Sequence, residues 1–509
     1  MKDMLRSLAL SGCVVLSGCA VGPDFHRPPP PHDSGYAPQG LPDATAAANV
    51  HGGEAQHLVG GADLPFEWWR EFHSSVLDEL VEQAFRANPS LPAARAALLQ
   101  AQESVSAQRG YFFPTIDAVY QAERHKVSGN TENSQTPGVQ ASGTNLLPRQ
   151  DSSGAVVPAP VFYTFHTAQL TVSFVPDLLG GNRRQVESLA AQAEVQHFSL
   201  EATYVTLAAN TVAAAIQEAA LRAQIEATQQ VIVADTHALE VLRRQFQLGY
   251  AMQIDVDAAE AALAQVRTTL PPLQKRLDQT RDLIRALVGG MPDDAIPEFE
   301  LDSLQLPTEI PTRFPAKLIE QRPDIKAAEA QLHAANAQVG VAVAAMLPQF
   351  SISGVYGGNA TTLGQMFASG GPFWSLFADV SQPIFHGGTL LHQKRAADAG
   401  LKQAAAQYCM AVMAAYQNVG DSMRATFSDA EELNAAVAAE EAAKVTLDLT
   451  QRQMETGYTD YLTWLNAETI YQQALLSRVQ AQAVRFGDTV ALYQALGGGW
   501  WNRKELAQQ

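Results

Sequence analysis

Residues able to do chemistry are few and scattered in this 509-residue chain. Its 3 cysteines cannot build a disulfide framework, and neither a paired Cys-x-x-Cys nor a Cys/His cluster occurs. The 12 histidines lack ligand spacing. No His-Glu-x-x-His, Gly-x-Ser-x-Gly, Walker A or Gly-x-Gly-x-x-Gly pattern is present. A hydrolase reading lacks any candidate nucleophile with a base at recognisable spacing. The chemistry that can be assigned belongs to Cys19. Lys2 and Arg6 precede an apolar stretch that Leu16-Ser17-Gly18-Cys19 closes with small residues, the pattern of a lipoprotein signal cleaved before an acylated cysteine. Leu10-Ser11-Gly12-Cys13 repeats the spacing, but the apolar stretch before it is too short.

Ala20 follows the cysteine where an aspartate is absent, which resembles lipoproteins sent to the outer membrane. The formal charge of −18 argues against a general nucleic-acid binder. Alanine reaches 83 residues while aromatics make up 8%, a composition favouring long helices that approach closely. Beyond the N-terminus no apolar run attains the roughly 18 residues of a membrane-spanning helix, so any crossing is made by strands. Residues 19–64, rich in Gly, Pro and Ala, read as an extended lipidated tether that packs no core.

The remainder is duplicated. Residues 88–114 align without gaps on 322–348, with Pro89/Pro323, Leu98/Leu332, Val105/Val339 and Pro114/Pro348 among the identities. Pro176-x-x-x-Gly180-Gly181 then matches Pro383-x-x-x-Gly387-Gly388. Arg244-Gln245, Gly249-Tyr250, Ala259-Glu260 and Gln265 match Arg452-Gln453, Gly457-Tyr458, Ala467-Glu468 and Gln473. Three anchors in one order indicate two structural copies. A Ser/Gly/Asn/Pro-rich run from about Ser128 to Pro160 in the first copy reads as a long exposed loop.

Each copy predicts a helix, two strands around a loop, a very long helix, a tight turn and a returning helix. Residues 183–248 contain neither Gly nor Pro, enough for a helix of about 100 Å at 1.5 Å per residue. Residues 389–456 contain no Pro, and only Gly400 and Gly420. Pro271-Pro272 is expected to break the first return helix. The domain reading is a signal peptide at 1–18, the tether at 19–64, repeat 1 at 65–290, a linker at 291–314, repeat 2 at 315–497 and a tail at 498–509. Strands are placed at about 113–123, 163–176, 348–357 and 373–384, and the hairpins at about 183–289 and 389–496. Along the strands, apolar and polar residues alternate, as in Ala168, Leu170, Val172 and Phe174 against Gln169, Thr171 and Ser173. Such alternation fits lipid on one face and water on the other.

Four strands cannot close a membrane barrel, because edges in lipid leave backbone groups unpaired at several kcal/mol each. Several chains must therefore share one wall. Twofold assembly gives about eight strands with a filled interior, whereas threefold gives about twelve and room for a lumen.

The Cys19-Ala20-Val21-Gly22-Pro23-Asp24-Phe25 start, the duplicated strand-pair and hairpin order, and the turns Leu248-Gly249-Tyr250 and Thr456-Gly457-Tyr458 resemble the TolC/OprM/NodT family of outer-membrane factors. The resemblance implies an α+β membrane protein: a homotrimeric twelve-stranded β-barrel, four strands per chain, continuous with a long α-helical periplasmic barrel. It implies no cofactor beyond the covalent lipid on Cys19, and a place in the bacterial outer membrane reaching into the periplasm. The task it implies is the passive exit duct of a tripartite efflux pump for small molecules. The implied partners are a periplasmic adaptor, or membrane fusion protein, and an inner-membrane transporter of the RND type, alongside outer-membrane lipid.

By position in that family's tip motif, Leu462 resembles the apolar gate ring, and Asn466 stands where relatives carry an aspartate. Three symmetric asparagines make a neutral ring, and Asp460, Asp255 and Asp257 either supplement it with negative charge or serve as solvated or helix-capping carboxylates. Gly249, Tyr250, Gly457 and Tyr458 are the expected adaptor-contact turns. Two alternatives stay open: a polypeptide secretion duct of the same fold, and a periplasmic scaffold lipoprotein without a channel.

Overall fold

The computed structural model describes residues 20–29, 42–127, 149–150, 156–157, 161–312 and 321–503. Cys19 and the signal peptide lie outside them, as does most of the loop expected from about Ser128 to Pro160. Of that loop, β3 (Arg149–Gln150) and β4 (Val156–Val157) are described, as an antiparallel two-residue ladder.

In chain order the elements begin with β1 (His57–Gly60), α1 (Ser75–Ala87), α2 (Ser90–Gly110), β2 (Thr115–Val127) and, after β3 and β4, β5 (Val161–Phe174). The first hairpin is α3 (Gly181–Gln247) and α4 (Gln253–Leu287). After β6 (Glu309–Thr312) come α5 (Pro323–Ala344), β7 (Gln349–Ala360) and β8 (Pro372–Ser381), and the second hairpin is α6 (Thr389–Glu455) and α7 (Tyr461–Ala495). The long helices α3 and α6 each have 67 residues and the return helices α4 and α7 each have 35. The second hairpin repeats the first residue for residue, Gly181 falling on Thr389 and Gln253 on Tyr461. The chain forms two compact units, and the boundary between them falls inside α2, α3, α5 and α6.

The first unit (1–25, 102–191 and 333–403) holds one four-stranded antiparallel sheet in the order β2-β5-β7-β8. Its register places Ile116, Val172, Gly354 and Leu376 in one cross-strand row, and Ala118, Leu170, Tyr356 and Trp374 in the next. On the opposite face run Asp117, Thr171, Val355 and Ser375. The alternation in sequence therefore becomes an apolar face across four strands, and its large side chains, Ile116, Leu170, Tyr356, Trp374 and Leu376, are exposed. Strand β2 extends to Val127, past the expected end at 123, because Arg124, His125 and Lys126 pair with Thr164, Tyr163 and Phe162 despite their polarity.

The second unit (26–101, 192–332 and 404–509) holds the main core. Trp68, Phe72 and Leu77 are packed there with Val212 and Ile216 of α3, Phe299 and Leu304, and Phe486 and Tyr493 of α7. The Trp68 and Tyr493 rings lie 5.4 Å apart, within the range of favourable aromatic contact.

Two expectations are corrected. Residues 19–64 are not a loose tether where they are described. In the second unit β1 pairs in parallel with β6. There the buried Gln56 donates to the Pro307 carbonyl at 3.0 Å and to Thr489 at 3.2 Å. In the first unit the buried Arg184 donates to the Val21 carbonyl at 3.0 Å and to Asp24 at 2.7 Å. This packing is made by backbone and polar partners, which an apolar pattern does not register. Nor does Pro271-Pro272 break α4, which continues through both prolines. In the turn before them, the Thr268 and Thr269 hydroxyls each donate at 2.7 Å to the carbonyls of Gln265 and Val266. These bonds fall two residues before the carbonyls of Arg267 and Thr268, which lose their amide donors to the prolines.

Candidate functional site

The two hairpin turns are built alike. Gly249 has φ +77° and Gly457 φ +75°, the left-handed region that a Cβ disfavours. The Tyr250 amide donates to the Gln245 carbonyl at 2.9 Å, and the Tyr458 amide to the Gln453 carbonyl at 2.8 Å. These closing bonds satisfy carbonyls that the end of α3 or α6 would otherwise leave free. Each tyrosine then points into solvent, Tyr250 at 83% and Tyr458 at 87% exposure. Leu248, Met252 and Ile254 extend the exposed apolar surface of the first turn.

The carboxylates near the turns have separate tasks. Asp460 is the N-cap of α7, accepting from the Thr463 amide at 2.8 Å and its hydroxyl at 2.6 Å. Those bonds hold the Asp460 carboxyl below the usual carboxylate range. Asp255, at the third position of α4, reaches back to accept from the amide of the N-cap residue Met252 at 3.0 Å, the reciprocal half of a capping box. Asp257 is exposed and accepts from Gln253 at 2.8 Å.

Leu462 and Asn466, one helical turn apart on α7, share an exposed face, with Leu462 at 41% exposure. The opposite face buries Trp464, Ala467 and Glu468. Tyr461 packs against a small core at the end of the first hairpin, formed by Leu239, Leu242, Val256, Ala259 and Leu263. The geometry thus joins Tyr461 to the first hairpin and leaves Leu462 and Asn466 facing outward.

Sequence reasoning missed what lies under that face. Asp235 of α3 and Glu468 of α7 are both buried, and the two carboxyl groups lie close enough to shift one another. Burial and the facing Asp235 carboxyl push Glu468 up to about 8. The available signal was an exchange of partner between copies: Glu260 pairs with Arg243, whereas Glu468 has Gln451 at the corresponding place.

No group of residues suited to hold a metal occurs among the described residues, and none of their helices is long and apolar enough to cross a membrane. The described residues thus present a sheet with an exposed apolar face and two long helical hairpins. The chain belongs to the outer membrane efflux protein family, whose model matches residues 80–290 and 314–498.

The toluene efflux pump outer membrane protein TtgC of Pseudomonas putida is 28% identical, the alignment covering 100% of this chain and 98% of that protein. The pyoverdine export outer membrane protein OpmQ of Pseudomonas putida is 26% identical over 85% of this chain and 88% of its own. The outer-membrane channel OprN is 26% identical with a TM-score of 0.79, covering 95% of this chain and 100% of that one. The protein is thus an outer-membrane efflux protein, acting in transport and not as an enzyme.

Proposed function

We propose that three copies of this chain assemble into a passive exit duct, each contributing its four strands to a twelve-stranded barrel and its hairpins to a helical tube. The observation that carries this reading is the sheet itself. Its apolar rows are exposed, and β2 and β8 are its two edges. Unpaired strand edges in hydrocarbon cost several kcal/mol per group, so neighbouring copies supply the missing partners. Cys19 carries the lipid that fixes the duct to the outer membrane, and the helices reach into the periplasm. Exposed Tyr250 and Tyr458, with Gly249 and Gly457 shaping their turns, meet a periplasmic adaptor. An inner-membrane transporter of the RND type supplies the energy.

Cargo is small molecules, as the names of the toluene and pyoverdine relatives suggest for those proteins. At the tip, Leu462 and Asn466 line the narrowest passage, an apolar ring beside a neutral one. Reconstituted in planar bilayers, the protein should conduct ions with a preference for cations, and Leu462→Ala should raise the single-channel conductance. Proteoliposomes without added permeability would sink the duct. An unchanged Leu462→Ala trace would remove that residue from the constriction.

A further inference from the structure

Beneath the tip, two carboxyl groups from different repeats are enclosed together. Asp235 is 4% exposed and Glu468 5% exposed. One oxygen of each, Asp235 Oδ1 and Glu468 Oε2, is buried without a hydrogen-bond partner, as is the indole Nε1 of Trp464, four residues before Glu468 on α7. Two ionised carboxylates in contact and out of water repel strongly, and leaving both charged is far costlier than sharing a proton. One proton turns the repulsion into a hydrogen bond, with Glu468 as donor and Asp235 as acceptor. Through it α3 of the first hairpin is held to α7 of the second.

The surroundings leave the proton as the compensating charge. Besides burial, each acid is shifted by the other, and the nearby Tyr461 phenol is raised by burial and by both of them. The α4 residues packed near Tyr461, namely Val256, Ala259 and Leu263, carry no charge. Arg267 of α4 reaches the hydroxyl of Thr236, next to Asp235, at 3.4 Å, and does not pair with either acid. Glu468 lies two residues beyond Asn466 and six beyond Leu462 on α7, so a change in the hold on this segment is passed directly to the gate-facing residues.

We propose that the Asp235–Glu468 carboxyl pair is a proton-operated latch that keeps α7 closed against the first hairpin and releases it when the shared proton leaves. This rests on the reading of Leu462 and Asn466 as the constriction of a duct. The direction follows from burial: Glu468 is raised from 4.5 to about 8, so the contact is complete below the ordinary glutamate value and is lost as pH rises through about 8. Alkaline conditions on the periplasmic side therefore loosen the tip, and acid conditions hold it.

The test uses the purified full-length protein in planar bilayers, titrated on the side of the helical end. The wild type should show open probability rising through about pH 8. Glu468→Gln keeps the shape and a permanent donor, so its channel should stay at the low-pH level throughout, with the rise lost. Asp429→Asn, a control at a different acidic pair, should keep the wild-type response. Infrared difference spectra provide a second readout: a protonated-carboxyl component should fade through about pH 8, be missing from Glu468→Gln and persist in Asp429→Asn, which removes only the component fading through about pH 7. A wild type that conducts identically on both sides of pH 8, or a response abolished by Asp429→Asn, overturns the latch while leaving the duct intact. A protein that conducts at no pH overturns the duct itself.

Discussion

Glu260 and Glu468 hold the same place in the two hairpins, eleven residues past Gly249 and Gly457 respectively, yet their surroundings are opposite. Glu260 is exposed and pairs with Arg243 of its own hairpin. Glu468 is buried and faces Asp235 of the other hairpin. The same contrast recurs farther along: Asp429 of α6 corresponds to Leu221 of α3, and Arg485 of α7 to Leu277 of α4. Duplication has preserved backbone geometry, including helix lengths and both turns. It has redistributed polarity: among the described residues Arg184, Glu201, Glu218 and Asp235 are buried in the first copy and Arg322, Asp429, Glu468 and Arg485 in the second, and no two of these positions correspond. A backbone repeated for its length can thus support a surface pair in one copy and a buried control point in the other.

The largest expected effect comes from the packed face of the return helices. Trp464→Ala should destabilise by about 3–5 kcal/mol, whereas its counterpart Val256→Ala should cost only about 1.5–2 kcal/mol. Heat or guanidinium unfolding followed by helical circular dichroism checks the ranking, and equal losses would show that the copies are packed alike. Next come the turns, where the copies should agree. Gly249→Val and Gly457→Val each place a β-branched residue in the left-handed region, costing roughly 1–2 kcal/mol apiece. A large difference between them would break the geometric equivalence.

A pH experiment sharpens the contrast in buried charge. Burial and the neighbouring Asp488 push Asp429 up to about 7. Because the value is raised above 3.8, its stabilising contribution is present in acid and fades as pH rises through about 7. The wild-type melting temperature should therefore fall across that range, and Asp429→Asn should flatten the fall. The reverse slope would contradict the assignment. The smallest effect is expected at the surface, where Glu260→Gln should change stability by about 0–1 kcal/mol, with salt reducing the difference further.

Features made by local periodicity were legible in sequence. The strands followed from residues such as Leu170 and Trp374 alternating with polar neighbours, and the turns from the repeated Gly249-Tyr250 and Gly457-Tyr458. What escaped depends on partners distant along the chain. Arg485 is fully buried and donates to the Glu54 carbonyl and to Thr45 at 3.2 Å, drawing in a segment whose composition suggests a tether. The helix α4 runs on through Pro271-Pro272 although the Arg267 and Thr268 carbonyls lose their amide donors there. Asp235 meets Glu468 across two repeats, and neither residue's own neighbourhood announces the contact. At the tip, of the two roles that sequence left open for Asp460 and Asp255, negative charge at the gate or helix capping, their hydrogen bonds fulfil the second.

The most direct measurement is the mass of the intact particle extracted in mild detergent, taken by native mass spectrometry on material that conducts in bilayers. Three chains per conducting particle is the expected result, since four strands with two free edges need neighbours to complete a wall. A stable single chain in the membrane, or a conducting particle of another stoichiometry, would contradict it.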